Sequence, residues 1–134
     1  LSFSDKAKED LRNLTNALIE ILDLTYDSFS TNDVEKASSV EPLEQVIDRL
    51  VAEVKTSHIS RLQTGECTIE MGFVLSDLLN NYERVSDHCS NIAVTMIEVE
   101  QGSYDTHSYL NSVKDMSDEG FNNEYRKYKN KYLS

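Results

Sequence analysis

Residues 71–99 read MGFVLSDLLNNYERVSDHCSNIAVTMIEV. Apolar or part-apolar side chains recur at Met71, Leu75, Leu78, Tyr82, Val85, Cys89, Ile92, Met96 and Val99. The steps alternate four and three. That is a heptad seam, the mark of a long helix packed in a bundle. Gly102 closes the segment.

The flanking segments carry the same period. Upstream, Val40, Leu43, Ile47, Leu50 and Val54 form a stripe, with Val46 and Val51 beside it. Gly65 ends that helix in a short turn. Pro42 lies inside the run and predicts a kink, or a break, at that residue. Nearer the start, Leu11, Leu14, Leu18, Ile21, Thr25 and Phe29 mark one face of another helix. Ser4 or Asp5 can cap it, and Asn32 or Asp33 can cap the next. The expected fold is all-α: an antiparallel three-helix bundle over residues 1–102, with helices at about 5–30, 33–62 and 67–101. A C-terminal helical tail occupies residues 103–134. Asp105 or Thr106 can cap a short helix through Val113, and a second would align Phe121, Tyr125, Tyr128 and Tyr132 on one face. That aromatic face should pack on the bundle, the other reading being a partner or homodimer surface.

Composition limits the partners. The net charge is −11 over 134 residues, with no basic run to interrupt it. Such a field repels nucleic acid and anionic lipid and attracts cations. No stretch approaches the roughly 20 apolar residues of a membrane span, so the fragment itself does not insert into lipid. No signal-peptide pattern opens the chain, and its start at Leu1 suggests a piece of a longer protein. Cys67 and Cys89 lie in segments that read as helix, without CxxC spacing, and read as packed thiols rather than zinc ligands.

The chemistry lies in two ExxxD pairs, Glu44 with Asp48 and Glu83 with Asp87. One such pair means little on a solvated helix. Together they say more. At about 100° per residue, both pairs fall on the same-signed flank of their apolar stripes. The turn at Gly65 makes the two helices neighbours. The pair midpoints, residues 46 and 85, lie 19 residues before Gly65 and 20 after it. At 1.5 Å per residue, their heights differ by only about 1.5 Å. Four carboxylates should therefore converge, with Glu41 as a fifth on the same flank. Ser86 and Ser90 leave room beside them, while His88 and Asn91 lie further round. Clustered acids must hold protons or bind cations. Oxygen-only ligation suits Mg²⁺, Ca²⁺, Mn²⁺ or Fe³⁺. The alternative is a solvated acidic ridge.

An enzyme is not indicated. A di-iron carboxylate site of the bundle type wants ExxH on two helices. Lys55, Val85 and Tyr104 stand three residues before His58, His88 and His107. No Gly-rich phosphate loop and no Ser/His/Asp or Cys/His arrangement is legible.

The run Glu83-Arg84-Val85-Ser86-Asp87-His88-Cys89-Ser90-Asn91-Ile92-Ala93 resembles the PhoU-like signature ERxxDHxxNIAE. The segment Glu44-Gln45-Val46-Ile47-Asp48-Arg49-Leu50, preceded by Ala37-Ser38-Ser39-Val40, resembles the other E/DxxxD helix of that family. The likeness covers residue 5 to about residue 100 and implies one of the two three-helix repeats of a complete PhoU protein. It also implies metal binding at Glu44, Asp48, Glu83 and Asp87. Val94 departs from the pattern, standing where the final Glu belongs. Residues 58–111 are similar to the C-terminal portion of bacterial sodium/phosphate cotransporter family proteins, in the wording Thr68-Ile69-Glu70-Met71-Gly72-Phe73-Val74-Leu75-Ser76-Asp77-Leu78 and Tyr104-Asp105-Thr106-His107-Ser108-Tyr109-Leu110-Asn111. This implies a regulatory domain on the cytoplasmic face of the inner membrane, partnered by the transmembrane half of the same polypeptide. A free PhoU-type phosphate-signalling regulator, acting as a protein-interaction bundle without metal, is the alternative.

Overall fold

The computed structural model describes residues 4–100 and 118–133. Every described element is helical: α1 (Asp5–Thr31), α2 (Val34–Ala37), α3 (Val40–Gln63), α4 (Ile69–Glu100) and α5 (Asp118–Tyr132). The short helix expected before Val113, and the close at Gly102, lie outside the described residues.

Local chemistry sets the ends of these helices. The Ser4 hydroxyl accepts from the Ala7 amide at 3.2 Å and starts α1. Asn32 ends it in the left-handed region, at φ 53°. There the Asp33 amide reaches back to the Ser28 carbonyl at 2.9 Å, closing a Schellman motif. Asp33 caps α2 in turn, accepting from the Lys36 amide at 3.0 Å. Gly65 repeats the Schellman motif after α3, at φ 77°, with the Glu66 amide on the Arg61 carbonyl at 2.9 Å.

The expected helix over 33–62 is two helices, and the break is not at Pro42. It falls at Ser38–Ser39. A proline ring clashes with the carbonyl four residues earlier, here that of Ser38, which disfavours a straight helix running through Ser38. Pro42 instead sits in the first turn of α3, where an amide has no helical partner to lose. No kink is needed, and the ring is buried.

The core joins Leu14, Ala17, Leu18 and Ile21 of α1 to Val40, Leu43, Val46, Ile47, Leu50, Val51 and Val54 of α3. Leu75, Leu79, Cys89, Ala93 and Ile97 of α4 complete it, with Tyr128 and Tyr132 of α5. Helix α3 packs against α1, α4 and α5, and α1 packs against α4. Each large aliphatic side chain buried here contributes roughly 1.5–3 kcal/mol.

Two stripes are corrected. On α4 the buried line runs Leu75, Leu79, Ser86, Cys89, Ala93, Ile97 and shares only Leu75 and Cys89 with the heptad positions. Leu78, Tyr82, Val85 and Met96 are half-buried, whereas Ile92 and Val99 are exposed. A strict seven-residue seam slips about 20° per heptad on a straight helix, so by the C-terminal half it has rotated off the core. On α1, Ser28 is buried and Phe29 is 67 % exposed. Cys67 is corrected too. It lies in the turn before α4, not in a helix.

Candidate metal centre at the α3–α4 junction

Helix α3 carries Glu41, Glu44 and Asp48 along one flank in its first turns, and α4 brings Glu83, Asp87 and Ser90 against it. Glu44, Asp48 and Asp87 each offer a carboxylate oxygen, and these oxygens all lie within 4.8 Å of one another. Glu44 is buried at 7 % exposure, while Asp48 and Asp87 open to solvent. Glu41 stands beside them and accepts a hydrogen bond from the Ser90 hydroxyl.

Glu83 does not join the three. Its Oε1 lies 3.4 Å from Lys55 Nζ. The sequence reading missed Lys55, although the signal was present. Seven residues beyond Asp48, Lys55 falls on the same flank of α3 at about 100° per residue. An acidic flank ending in a lysine offers an internal counter-ion one or two turns along.

The electrostatics follow from burial and crowding. Burial first, then Asp48, Glu41 and Asp87, push the Glu44 carboxyl up to about 9. Near neutral pH Glu44 therefore holds a proton. Asp48 is also raised, chiefly by desolvation, with a hydrogen bond from Glu44 pulling the other way and Asp87, Glu83 and Glu41 adding repulsion. A cation inverts this logic, because it favours every carboxylate in its charged form. The donor set fits a hard cation. All three donors are carboxylate oxygens, one is withdrawn from water, and two leave room for solvent ligands. Ser86, on α4 just before Asp87, is fully buried with an unpartnered hydroxyl.

One further polar arrangement was not legible. Cys67 Sγ lies 3.6 Å from His58 Nδ1. His58 is buried, and burial followed by the Arg61 charge holds its pKa below the ordinary value. The thiol donates to the Thr68 carbonyl at 3.4 Å. On its other side the His58 ring faces Gly72, where a Cβ would meet Nε2 at 2.8 Å. Glycine at this point lets α4 approach the buried ring.

The described fold is an all-helical bundle with a carboxylate cluster where α3 meets α4. The chain belongs to the PhoU domain family, which it matches over residues 11–96. It is also similar to the phosphate-specific transport system accessory protein PhoU homolog 1 of Thermotoga maritima, at 22% identity over 94 residues. That alignment covers 70% of this chain, and the chain spans 40% of the relative's length. No solved structure matches the chain. Among the described residues no helix is long and apolar enough to cross a membrane.

Proposed function

We propose that this chain is a non-enzymatic regulatory module of phosphate transport whose signal-receiving site is a hard cation held by Glu44, Asp48 and Asp87. The observation that supports it is the convergence of those three carboxylates from two helices. Family membership supports the transport context. In this reading the three long helices run up, down and up as one PhoU-type repeat over residues 1–102. Helix α5 is an added tail on that repeat. Mg²⁺, Ca²⁺, Mn²⁺ or Fe³⁺ would bind at the α3–α4 junction, and Glu83 would join once released from Lys55. Bound metal would discharge the repulsion among the acids and fix α3 against α4.

We further propose that the module works as the cytoplasmic part of a sodium-dependent phosphate transporter, with the transmembrane half of the same polypeptide as its partner. The support is the wording of residues 68–78 and 104–111. The test is sodium-dependent phosphate uptake by the full polypeptide, with and without Asp87→Asn. Altered uptake with unchanged membrane abundance supports the reading, and unchanged uptake counts against it. A second reading is favoured by one observation. The Thermotoga relative is named as an accessory protein of a phosphate-specific transport system. A free regulator of that kind would show the metal response without any covalent membrane half.

A further inference from the structure

Three grooves run along the bundle, and they are filled differently. Helix α5 covers the groove between α1 and α3, burying Tyr128 and Tyr132. The groove between α3 and α4 carries the acids. Helix α2 packs on α1 and α4 at one end of the third groove, and among the described residues no other helix covers the rest of this largely apolar α1–α4 groove. On α1, Ile19, Leu22, Tyr26 and Phe29 are 51%, 44%, 71% and 67% exposed. Their spacing of three, four and three puts them on one face, over about three turns of helix. Thr15 of α1 bonds the Tyr82 hydroxyl at 2.9 Å, which places that face on the α4 side. On α4, Ile92 and Val99 continue the surface. Phe29, Ile92, Met96 and Val99 line a depression of about 650 Å³.

Such a row is not accounted for by the apolar residues found singly on most surfaces. The charges at its edge narrow the choice of occupant. Asp23 and Asp27 follow Leu22 and Tyr26 round α1, both exposed and without an ion pair among the described residues. Glu100 stands at the far end of the depression. A second copy would set acid against acid in a chain of net charge −11. The neighbouring groove shows what fits. Helix α5 fills it with aromatic side chains and pairs Lys131 with Glu20 at 2.8 Å across the rim.

We propose that the α1–α4 groove is the docking site for an amphipathic helix of a partner protein, with an apolar stripe at three- and four-residue spacing and Lys or Arg on its flanks. Tyr26 and Phe29 are the aromatic anchors, and Asp23, Asp27 and Glu100 select the basic flank. This surface is separate from the α3–α4 acids and does not depend on metal there.

The test titrates the full chain with a synthetic Leu/Lys amphipathic helix and with its Leu/Glu counterpart. Binding and hydrogen exchange are followed for wild type, for Tyr26→Ser/Phe29→Ser and for Asp87→Asn. The anchors are already exposed, so their replacement leaves the core intact. The expected result is binding of the Leu/Lys helix alone, with new protection over residues 19–29 and 88–99. The double substitution weakens it at least tenfold, about 1.4 kcal/mol, while Asp87→Asn leaves it within about twofold. Equal binding of the Leu/Glu helix, protection over α5 instead, indifference to the double substitution, or no binding at all would each overturn the proposal. So would a dimer of the chain alone that the double substitution dissociates, because a second copy would then be the occupant.

Discussion

Glu44 of α3 and Asp87 of α4 lie 43 residues apart in sequence, yet they offer carboxylate oxygens within 4.8 Å of each other, together with Asp48. Glu44 is the buried member, so the cluster has an inner acid and a solvent-facing pair. A cation that binds only the folded chain stabilises it by mass action. At about a hundred times its Kd, such an ion adds about 2.7 kcal/mol. Millimolar Mg²⁺, Ca²⁺ or Mn²⁺, or ferric iron, should therefore raise Tm by several degrees, and Asp87→Asn should remove the shift. Calorimetry with and without chelator reads both. An equal shift in Asp87→Asn would place the binding elsewhere.

Lys55 competes with metal for Glu83, since their charged groups lie 3.4 Å apart. Replacing Lys55 with Met frees that carboxylate and removes a positive charge from the approach to the site. Metal affinity should rise, by roughly two- to fivefold for a partly exposed pair worth up to about 1 kcal/mol. Isothermal titration measures it. Unchanged affinity would mean that Glu83 takes no part in the site.

The metal-free chain should respond to pH with two opposing signs. Glu44 is raised from its ordinary 4.5 to about 9. A raised carboxyl contributes stability that is fully present below about pH 4.5 and is lost as pH climbs toward 9. Glu20 behaves in the opposite way. Burial works against its charge, but hydrogen bonds from Lys131 and Tyr132 outweigh that and hold its pKa below the ordinary value. Its contribution is present above the ordinary 4.5 and disappears as acid protonates it. Glu44→Gln should flatten the alkaline decline and raise Tm above neutrality. Glu20→Gln should flatten the acid limb. Tm profiles in chelator separate them, and an unchanged alkaline limb in Glu44→Gln would show that the proton resides on another group.

The stripe of α3 and the convergence of Glu44, Asp48 and Asp87 were legible because both follow from helical period and a short turn. The errors share a cause. The heptad reading of α4 assumed a seam locked to seven, and the straight helix carried Ile92 and Val99 off the core. Phe29 lies one step past the end of the inner stripe of α1 and belongs instead to a second, exposed stripe with Ile19, Leu22 and Tyr26. Pro42 looks like an interior breaker only while the helix is extended through Ser38–Ser39; with the boundary there it falls in the first turn of α3. Neither Cys67 beside His58 nor Gly72 under its ring leaves any trace in spacing, since both contacts depend on how α3 and α4 meet.

Helix α5 should act as part of the bundle. Tyr128 is 2 % exposed, and burial followed by the Glu20 and Glu124 charges pushes its phenol up to about 12. Tyr128→Ala should cost about 3–5 kcal/mol, in the range for a buried aromatic. Tyr132→Phe keeps the ring and removes only the hydroxyl hydrogen bond to Glu20, for a loss of about 1–2 kcal/mol. Asn13, whose side-chain amide donates to the Tyr132 carbonyl at 2.7 Å, should gain flexibility when residues 118–134 are removed. Urea denaturation reads the energies. A Tyr128→Ala loss under about 1 kcal/mol would show that α5 only rests on the bundle.

Gly72 tests the close contact at the far end of α3. In an open helix, Gly→Ala is favourable by about 0.8–1 kcal/mol. Here the new Cβ would lie 2.8 Å from His58 Nε2 and 3.3 Å from Cε1. The ring cannot retreat freely, because it is 8 % exposed and its Nδ1 lies 3.6 Å from Cys67 Sγ. Gly72→Ala should therefore destabilise the wild type by about 1–2 kcal/mol, the usual range for overpacking. In a His58→Ala background the obstacle is gone, and the same substitution should become neutral or stabilising, with a coupling of roughly 1–3 kcal/mol between the two sites. A double-mutant cycle by urea denaturation measures that coupling. Additive effects would mean that the two helices separate enough in solution for the Cβ and the ring never to meet.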